Sequence, residues 1–120
     1  MSVLRLTHVN VVVEDVVAAQ AFYGGVLELA ELPRAEGARR PGAWYRIGAA
    51  ELHVSEEPGA RDASASRHFA LAVSNLAHLR AALKRAGAPL EPGRPLPGME
   101  RLFTRDPSGN RLELQELTSP

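Results

Sequence analysis

The stretch RHFALAVSNLAHLRAALKRAG, residues 67–87, decides the fold, because it predicts a strand followed directly by a helix and has a counterpart near the start of the chain. Its first half shows the period-2 alternation of a strand with two different faces. One face carries Phe69, Leu71 and Val73, and the other carries His68, Ala70 and Ala72. In its second half, Asn75 is placed to cap a helix and Gly87 to end it in a left-handed conformation. The apolar stripe of this helix consists of Leu76, Leu79, Leu83 and Ala86.

The counterpart is LTHVNVVVED, residues 6–15, together with the segment that follows it. The apolar strand face consists of Val9, Val11 and Val13. Asp15 takes the capping position, and the expected helical face consists of Ala19, Phe22, Tyr23, Val26 and Leu27. This face should cover the valine side of the strand and leave His8 pointing the other way. His8 and His68 then occupy the same position in two similar units, 60 residues apart.

A second pair of segments repeats at the same distance. ELHVSE, residues 51–56, and RLELQE, residues 111–116, are also 60 residues apart. Their apolar residues match, and on the opposite strand face His53 matches Glu113. Two registers therefore agree at one offset, which indicates an internal repeat.

The remaining segments complete the two halves. Residues 34–48 are expected to hold a strand pair broken at residues 39–42, with AWYRI as the better strand. Residues 56–67 form a polar linker, and the Pro- and Gly-rich residues 88–100 form a loop. Residues 102–116 form a hairpin around the turn sequence DPSGN. Each half is thus roughly β-α-β-β-β.

Composition excludes several classes of protein. The chain has 120 residues, 45% of them hydrophobic, which suits one compact domain or two very small ones that share a core. Equal numbers of basic and acidic residues, 14 of each, argue against nucleic acid as a partner. No cysteine is present, so a disulfide framework and a thiolate metal site are excluded. No signal peptide or membrane span is recognisable, and we expect a soluble cytoplasmic protein.

If the halves pack around a pseudo-twofold axis, the polar strand faces can converge on one cleft. These faces carry His8, His53, His68 and Glu113. A lone histidine on a strand is more often structural than a ligand, and an outward glutamate on a hairpin is common. Here three of the chain's four histidines fall on the expected faces, which favours a ligand site. The fourth, His78, lies beside the apolar helical stripe and is expected to be a solvated surface residue.

The chain resembles the vicinal oxygen chelate superfamily, the glyoxalase/bleomycin-resistance/dioxygenase group, along nearly its whole length. The matching pieces are THVNVVVED, AFYGGVLEL, ELHV, RHFALAV and DPSGNRLELQE. The resemblance implies an α+β fold in which two tandem βαβββ modules form a cup-shaped mixed sheet. We expect one domain over residues 1–120, with module one at about 1–58 and module two at about 66–120. Glu28 stands where the family usually has glycine, and we expect this to alter the following turn but not the site.

The resemblance also implies a divalent metal in the cup. Its ligands come from the first and last strand of each module, which here are His8, His53, His68 and Glu113. Imidazoles and a carboxylate can bind Zn, Fe, Mn, Co or Ni and leave positions open for a substrate oxygen. The metal would act as a Lewis acid that polarises a carbonyl or holds an enediolate. Glu113 is the preferred base, because glyoxalases of the family use a metal-associated glutamate in that role, and water or Glu51 could substitute.

Three hypotheses follow for the function. The first is a metal-dependent lyase or isomerase of the glyoxalase type. The second is a dioxygenase or a thiol transferase like the fosfomycin-resistance relatives, since His8, His68 and Glu113 alone match the two-histidine, one-carboxylate pattern of iron(II) oxygenases. His53 argues mildly against oxygen chemistry, and it also departs from the Gln or Glu that true glyoxalases have there. The third is a metal-free binding protein.

The substrate is expected to be a small molecule, and many relatives form homodimers. The candidate substrate-binding residues are Asn10, Trp44, Arg46 and Arg111. Arg101 could also line the cup, but arginines on strand edges are usually only solvated. Arg111 is the exception, because it shares a strand face with Glu113.

Overall fold

The computed structural model describes residues 2–35 and 37–118, so Glu36 in the expected strand pair and the ends of the expected domain lie outside it. The described residues form two compact units. The first ends at Arg61, and the second begins at Asp62. The elements of the first are β1 His8–Val13, α1 Val16–Gln20 continued by a π-helix Ala21–Val26, β2 Ala30–Leu32, β3 Gly42–Ile47 and β4 Ala50–Glu56. The elements of the second are β5 His68–Ala72, α2 Leu76–Arg85, β6 Glu91–Pro92, β7 Met99–Arg105 and β8 Arg111–Leu117.

Each unit contains one four-stranded mixed sheet. The strand orders are β1-β4-β3-β2 and β5-β8-β7-β6, with the first pair parallel and the others antiparallel. His8 lies opposite Glu51 in the first parallel pair, and His68 lies opposite Arg111 in the second. The strand register is therefore repeated with the 60-residue offset, and the prediction of two βαβββ modules is confirmed.

Alternation along the strands separates a core face from an outer face in each unit. In the first unit the buried residues are Val11, Val13, Ala19, Phe22, Tyr23, Leu27, Ala43, Tyr45, Leu52 and Val54. In the second unit the sheet and α2 bury Leu76, Leu83, Leu102, Thr104, Leu112 and Leu114. His8, as predicted from the valine pattern, lies on the other face and is exposed.

Both helices begin as the sequence predicts. The Asp15 carboxylate accepts hydrogen bonds from the backbone N–H groups of Val17 and Ala18, and the Asn75 side chain accepts one from that of His78. Helix α2 ends at Arg85, and Gly87 follows with φ of 75°. Ala86 was wrongly expected in the helical stripe: it is the exposed residue that caps the helix end.

A second acceptor at each helix start was not predicted. Glu56, the last residue of β4, accepts a hydrogen bond from the Val16 N–H at 2.9 Å. Glu116 on β8 accepts one from the Leu76 N–H at 2.6 Å. The two glutamates are 60 residues apart, so the repeat extends to the way in which each sheet holds its helix. A carboxylate at a helix N-terminus also interacts favourably with the helix dipole.

The strand pair expected within residues 34–48 was partly wrong. Its first strand is β2, Ala30–Leu32, which pairs with β3 before residue 34 is reached, and Gly42 belongs to β3. Residues 34–41 contain no large apolar side chain that could cover the core, and Pro41 ends the segment. At Gly42 a Cβ atom would collide with the Val54 carbonyl oxygen, which explains glycine at the start of a strand.

The loop expected at residues 88–100 also contains strand. Glu91–Pro92 pairs with β7, which itself begins at Met99. The predicted hairpin is confirmed, since β7 and β8 pair from Met99 to Leu117 around the DPSGN turn. In that turn Asp106 accepts hydrogen bonds from the N–H groups of Ser108 and Asn110, and Gly109 has φ of 89°.

Glu28 has φ of 59°, in the left-handed region that glycine favours. A left-handed backbone at a residue other than glycine is uncommon, and the expected effect of Glu28 on the following turn stays a prediction. None of the described helices is long and apolar enough to cross a membrane.

Candidate functional site

The outer face of the first unit carries a stack of three aromatic rings. Trp44 on β3 lies opposite His53 on β4, and their rings are stacked with centroids 4.0 Å apart and planes 4° apart. On its other side, His53 stacks on the His8 ring of β1, with centroids 4.3 Å apart and planes 19° apart. His53 is therefore enclosed between two rings, and His8 has the outer position.

A hydrogen bond to Glu51 assigns a ring proton of His53. His53 Nε2 lies 2.9 Å from Glu51 Oε1, and since a carboxylate only accepts, this nitrogen carries a proton. In His8, Nδ1 is the atom that contacts Thr7 Oγ1, at 3.2 Å. A hydroxyl can donate or accept, so either nitrogen of His8 can carry the ring proton.

The other predicted substrate residues of the first unit differ in their surroundings. Asn10 lies opposite His53 on β1, and its Oδ1 accepts a hydrogen bond of 2.8 Å from Ser55 Oγ. Arg46 lies on the same strand face as Trp44 and is exposed. Asn10 and Arg46 thus both lie on the predicted strand face, and the Asn10 side chain is fixed by its hydrogen bond with Ser55.

The outer face of the second unit is centred on Glu113, which is only 4% exposed. Its Oε2 accepts hydrogen bonds from Gln115 Nε2 at 2.7 Å and from Arg101 Nη1 at 3.2 Å. Its Oε1 lies 3.1 Å from His68 Nε2. Burial by itself raises the pKa of the Glu113 carboxyl, but the hydrogen bonds from Gln115 and Arg101, the charge of Arg101 and the contact with His68 outweigh it and lower the pKa.

The Nδ1 contact of His68 is the kind that metal-binding histidines make. Nδ1 lies 2.6 Å from the backbone carbonyl of Ser66, which can only accept, so Nδ1 carries a proton. Nε2 faces Glu113 Oε1, which is also an acceptor. A second proton on Nε2, donated to Glu113, or a cation in its place therefore joins the two groups. A histidine that binds a metal usually donates its other N–H to a carbonyl or a carboxylate, as His68 does.

Phe103 and two arginines surround this pair. The Phe103 ring meets the His68 ring edge to face, with centroids 5.2 Å apart. The Arg111 guanidinium lies 3.7 Å from the centre of the Phe103 ring, and its Nε is 3.3 Å from Glu91 Oε1. Arg111 therefore lies on the predicted strand face. Its guanidinium already contacts Glu91 through Nε, and the flat surface of the guanidinium already contacts Phe103.

The structure joins the predicted ligands into two pairs, His8 with His53 and His68 with Glu113. Among residues 2–35 and 37–118, no group of three or more His, Asp or Glu residues is close enough to form a complete metal site. Convergence of the two pairs on one ion stays a prediction. Sequence reasoning missed Gln115 and Phe103 and undervalued Arg101. Their signal was the strand face, since Gln115 is two residues from Glu113 and Phe103 lies opposite it.

The two modules define the class of protein. A four-stranded mixed sheet built as βαβββ, made twice with the same register, is the architecture of the glyoxalase fold. A family model described as the Glyoxalase/Bleomycin resistance protein/Dioxygenase superfamily matches residues 5–114. The chain belongs to this superfamily.

Solved structures share the fold along nearly the whole chain. A glyoxalase family protein from Bacillus anthracis is 26% identical, with a TM-score of 0.86 and 98% of each chain covered. The fosfomycin resistance protein FosX from Listeria monocytogenes is 17% identical, with a TM-score of 0.81 over 97% of this chain and 93% of the other. Lactoylglutathione lyase from Agrobacterium tumefaciens is 21% identical, with a TM-score of 0.71 over 97% and 96%. Among curated proteins, none matches the sequence significantly.

Proposed function

We propose that this protein is a metal-dependent lyase or isomerase of the glyoxalase type. The candidate ligands of its divalent ion are the four residues predicted from the sequence, of which His68 and Glu113 are in contact in the second module and His8 and His53 in the first. A divalent ion at these residues would supply Lewis-acid chemistry, stabilising negative charge on a substrate oxygen while a neighbouring C–H bond loses its proton.

The observation that carries the proposal is the contact between His68 Nε2 and Glu113 Oε1, 3.1 Å long. A divalent ion here would be held by the His68 imidazole and the Glu113 carboxylate, which are ligand types that Zn(II), Mn(II) and Fe(II) accept. In the neutral His68 ring, with Nδ1 donating to the Ser66 carbonyl, Nε2 has the lone pair that a metal requires, and the lowered pKa of Glu113 favours the ionised carboxylate.

The environment of Glu113 limits what it can do as a base. Its lowered pKa keeps it ionised, which suits a ligand, but makes it a weak proton acceptor. In the proposed reaction Glu113 accepts the substrate proton on Oε2, and for this the hydrogen bond from Arg101 or Gln115 must be exchanged for the substrate. Glu51, whose side chain is 37% exposed, is the substitute base of the first module.

The substrate is proposed to be a small molecule held by the outer faces. Trp44 and Arg46 on β3, Asn10 on β1 and Arg111 on β8 are the proposed contacts. One FosX structure from Listeria monocytogenes was determined with Mn(II) and 1S,2S-dihydroxypropylphosphonic acid. That complex makes Mn(II) and small phosphonates sensible first probes for this chain. A homodimer, a cytoplasmic location and a single domain formed by both modules remain proposals from the sequence.

The test is metal content and affinity in the tag-free protein, with His68→Ala beside the wild type. After incubation with Zn, Mn, Ni or Fe(II) and removal of free ion, we expect about one metal ion per chain, and binding that is lost in the variant. His78→Ala, an exposed histidine on α2, is the matched control and should bind like the wild type. Absence of metal from the wild type under all four conditions would contradict the proposal and leave a small-molecule binding protein.

A further inference from the structure

We propose that Arg111 binds the anionic group of the substrate, and that the substrate is a small molecule with a carboxylate or phosphonate group. The proposal deepens the proposed function, on which it rests for the part that the anion plays in the reaction. Binding of the anion itself depends only on residues of the second unit. Arg111 lies on the same strand face as Glu113, two residues away on β8.

The charges on this face do not balance. Arg101 Nη1 lies 3.2 Å from Glu113 Oε2, so these two charges compensate each other. Arg105 and Arg111 lie directly opposite each other and share one carboxylate, that of Glu91, at 3.6 and 3.3 Å. One positive charge is therefore left over, on arginine side chains that are at most 21% exposed. A surplus charge that is largely withdrawn from water favours an anion as its partner.

Arg111 is the arginine that has donors left for this anion. Arg105 donates through both terminal nitrogens to backbone carbonyls, at 2.9 and 3.1 Å, and Arg101 donates through Nε and Nη1. In the part of the chain that the structure describes, Arg111 donates only through Nε, to Glu91. Its Nη1 and Nη2 are not among the buried side-chain atoms that lack a partner in that part, so both are accessible to solvent.

Two contacts fix the orientation of the Arg111 guanidinium. Its Cζ atom lies 3.7 Å from the centre of the Phe103 ring, which supports the flat face of the group. Glu91 binds the Nε atom, so the end that carries Nη1 and Nη2 is left for a ligand. This end presents two parallel N–H bonds, which match two oxygens of a carboxylate or phosphonate. Because the group is already held, little side-chain entropy is lost when the anion binds.

The position of Arg111 places the anion beside Glu113, the base in the proposed reaction. Residues two apart on one strand face are separated by about 7 Å, so the two side chains are neighbours. Ala70 lies opposite Glu113 on β5 and is exposed, and its small side chain leaves room beside the carboxylate. The substrates that fit are therefore small carboxylates or phosphonates in which the reacting carbon is close to the anionic group.

The test titrates metal-free protein with methylphosphonate, with acetate and with acetamide, the neutral analogue of acetate. Metal is removed on a chelating resin, so that no soluble chelator competes as an anion. Binding is followed by NMR of isotope-labelled protein, through the backbone amides of β8 and the Nε–H signal of Arg111. The absence of that signal from Arg111→Lys assigns it, and the amide spectra show whether each variant is folded.

Three variants separate the role of Arg111 from the effect of charge. Arg111→Met removes the charge, Arg111→Lys keeps the charge without the flat pair of donors, and Arg80→Met removes the charge of an exposed arginine on α2. Arg111→Met should weaken binding of the anion by about tenfold or more, because charge-assisted hydrogen bonds are lost. Arg111→Lys should recover only part of this affinity. Arg80→Met should bind like the wild type.

We expect methylphosphonate or acetate to shift the Arg111 Nε–H signal of the wild type, and acetamide to leave it unchanged. Tighter binding of methylphosphonate assigns the phosphonate class, and tighter binding of acetate assigns the carboxylate class. The proposal is wrong if neither anion binds, if Arg111→Met or Arg111→Lys binds as tightly as the wild type, or if Arg80→Met loses as much affinity as Arg111→Met.

The failure of this proposal is distinguishable from the failure of the proposed function, because metal content is measured separately. A protein that binds a divalent metal and neither anion keeps the proposed function and loses Arg111 as its anion site. A protein that binds an anion through Arg111 and no metal keeps the anion site and loses the proposed function.

Discussion

At Glu113 a single buried carboxylate receives contacts from three side chains, Gln115 on its own strand β8 and Arg101 and His68 on the neighbouring strands β7 and β5. Arg101 and Gln115 share its Oε2, and His68 faces its Oε1. An ionised group with 4% exposure is tolerable only when its oxygens are matched by donors or by positive charge. The same donors orient the carboxylate toward His68, so the contacts that make its burial possible also prepare the proposed metal site.

Arg101→Met removes the positive partner and keeps most of the side-chain volume. We expect the metal-free variant to lose about 1–3 kcal/mol of unfolding free energy, because Glu113 stays buried with fewer donors. Urea denaturation in the presence of a chelator measures the loss. Arg46→Met, at an exposed position on β3, is the control and should change stability by less than about 0.5 kcal/mol. Equal stability of the two variants would show that Gln115 and His68 are enough to stabilise the buried Glu113 carboxylate without Arg101.

At the scale of elements, the start of each helix is bound to its sheet by a glutamate. Glu56 on β4 accepts a hydrogen bond from the start of α1, and Glu116 on β8 accepts one from the start of α2. Glu116→Ala should lower the unfolding free energy by about 1 kcal/mol, since the Leu76 N–H loses its acceptor at the start of α2. Glu100 lies opposite Glu116 on β7 and is exposed, which makes Glu100→Ala a control with the same loss of charge. Thermal unfolding of both variants gives the comparison. A loss as large in the Glu100 variant would assign the effect to charge and not to the helix start.

The core face of β3 carries a buried phenol. Tyr45 is fully buried, and its hydroxyl has no hydrogen-bond partner among the residues that the structure describes. Burial raises the pKa of Tyr45 to about 12, and the nearby Glu31 carboxylate adds to the effect although the two do not meet the geometry of a hydrogen bond. Because burial favours the neutral phenol, the Tyr45 hydroxyl loses its proton at a higher pH in the folded protein than in the unfolded chain.

Tyr45→Phe should therefore change how stability depends on alkaline pH. Below pH 10 the phenol is neutral in both states, and the variant should match the wild type or exceed it by up to about 1 kcal/mol. Between pH 10.0 and about 12 the unfolded chain releases the proton while the folded chain keeps it, so this part of the stability falls as pH rises. The wild type should lose about 1 kcal/mol more than the variant by pH 11. Denaturant unfolding of both proteins at pH 8 and pH 11 measures the difference, and parallel curves would contradict it.

For the whole molecule, the repeat is the part of the fold that the sequence specifies most fully. The 60-residue offset of the repeat, both helix caps and the DPSGN hairpin follow from alternation, spacing and turn chemistry, which can be read from the sequence alone. The glutamates at the helix starts could not be found in this way, because each contacts a residue 40 positions away. The position of β2 was missed because short strands beside proline carry little pattern.

The same distinction between features that the sequence predicts and contacts that it does not applies to the candidate site. Alternation placed His8, His53, His68 and Glu113 on the strand faces opposite the apolar residues, and the structure brings them together as two pairs, His8 with His53 and His68 with Glu113. Alternation could not show that one pair meets at a ring edge and the other through stacked faces, since that depends on side-chain rotation and on neighbours such as Trp44 and Arg101.

A metal that binds only the folded protein must also stabilise it as a whole. At a free-ion concentration about 100 times the dissociation constant, binding should add about 2.7 kcal/mol. For a chain of 120 residues, this raises the unfolding temperature by roughly 10 °C. Scanning calorimetry with Zn(II) or Mn(II), followed by addition of a chelator, measures the shift and its reversal. His68→Ala should melt at the same temperature with and without metal, while His78→Ala should shift like the wild type. A shift that survives in His68→Ala would place the stabilising ion elsewhere and remove the thermodynamic support for the His68 and Glu113 site.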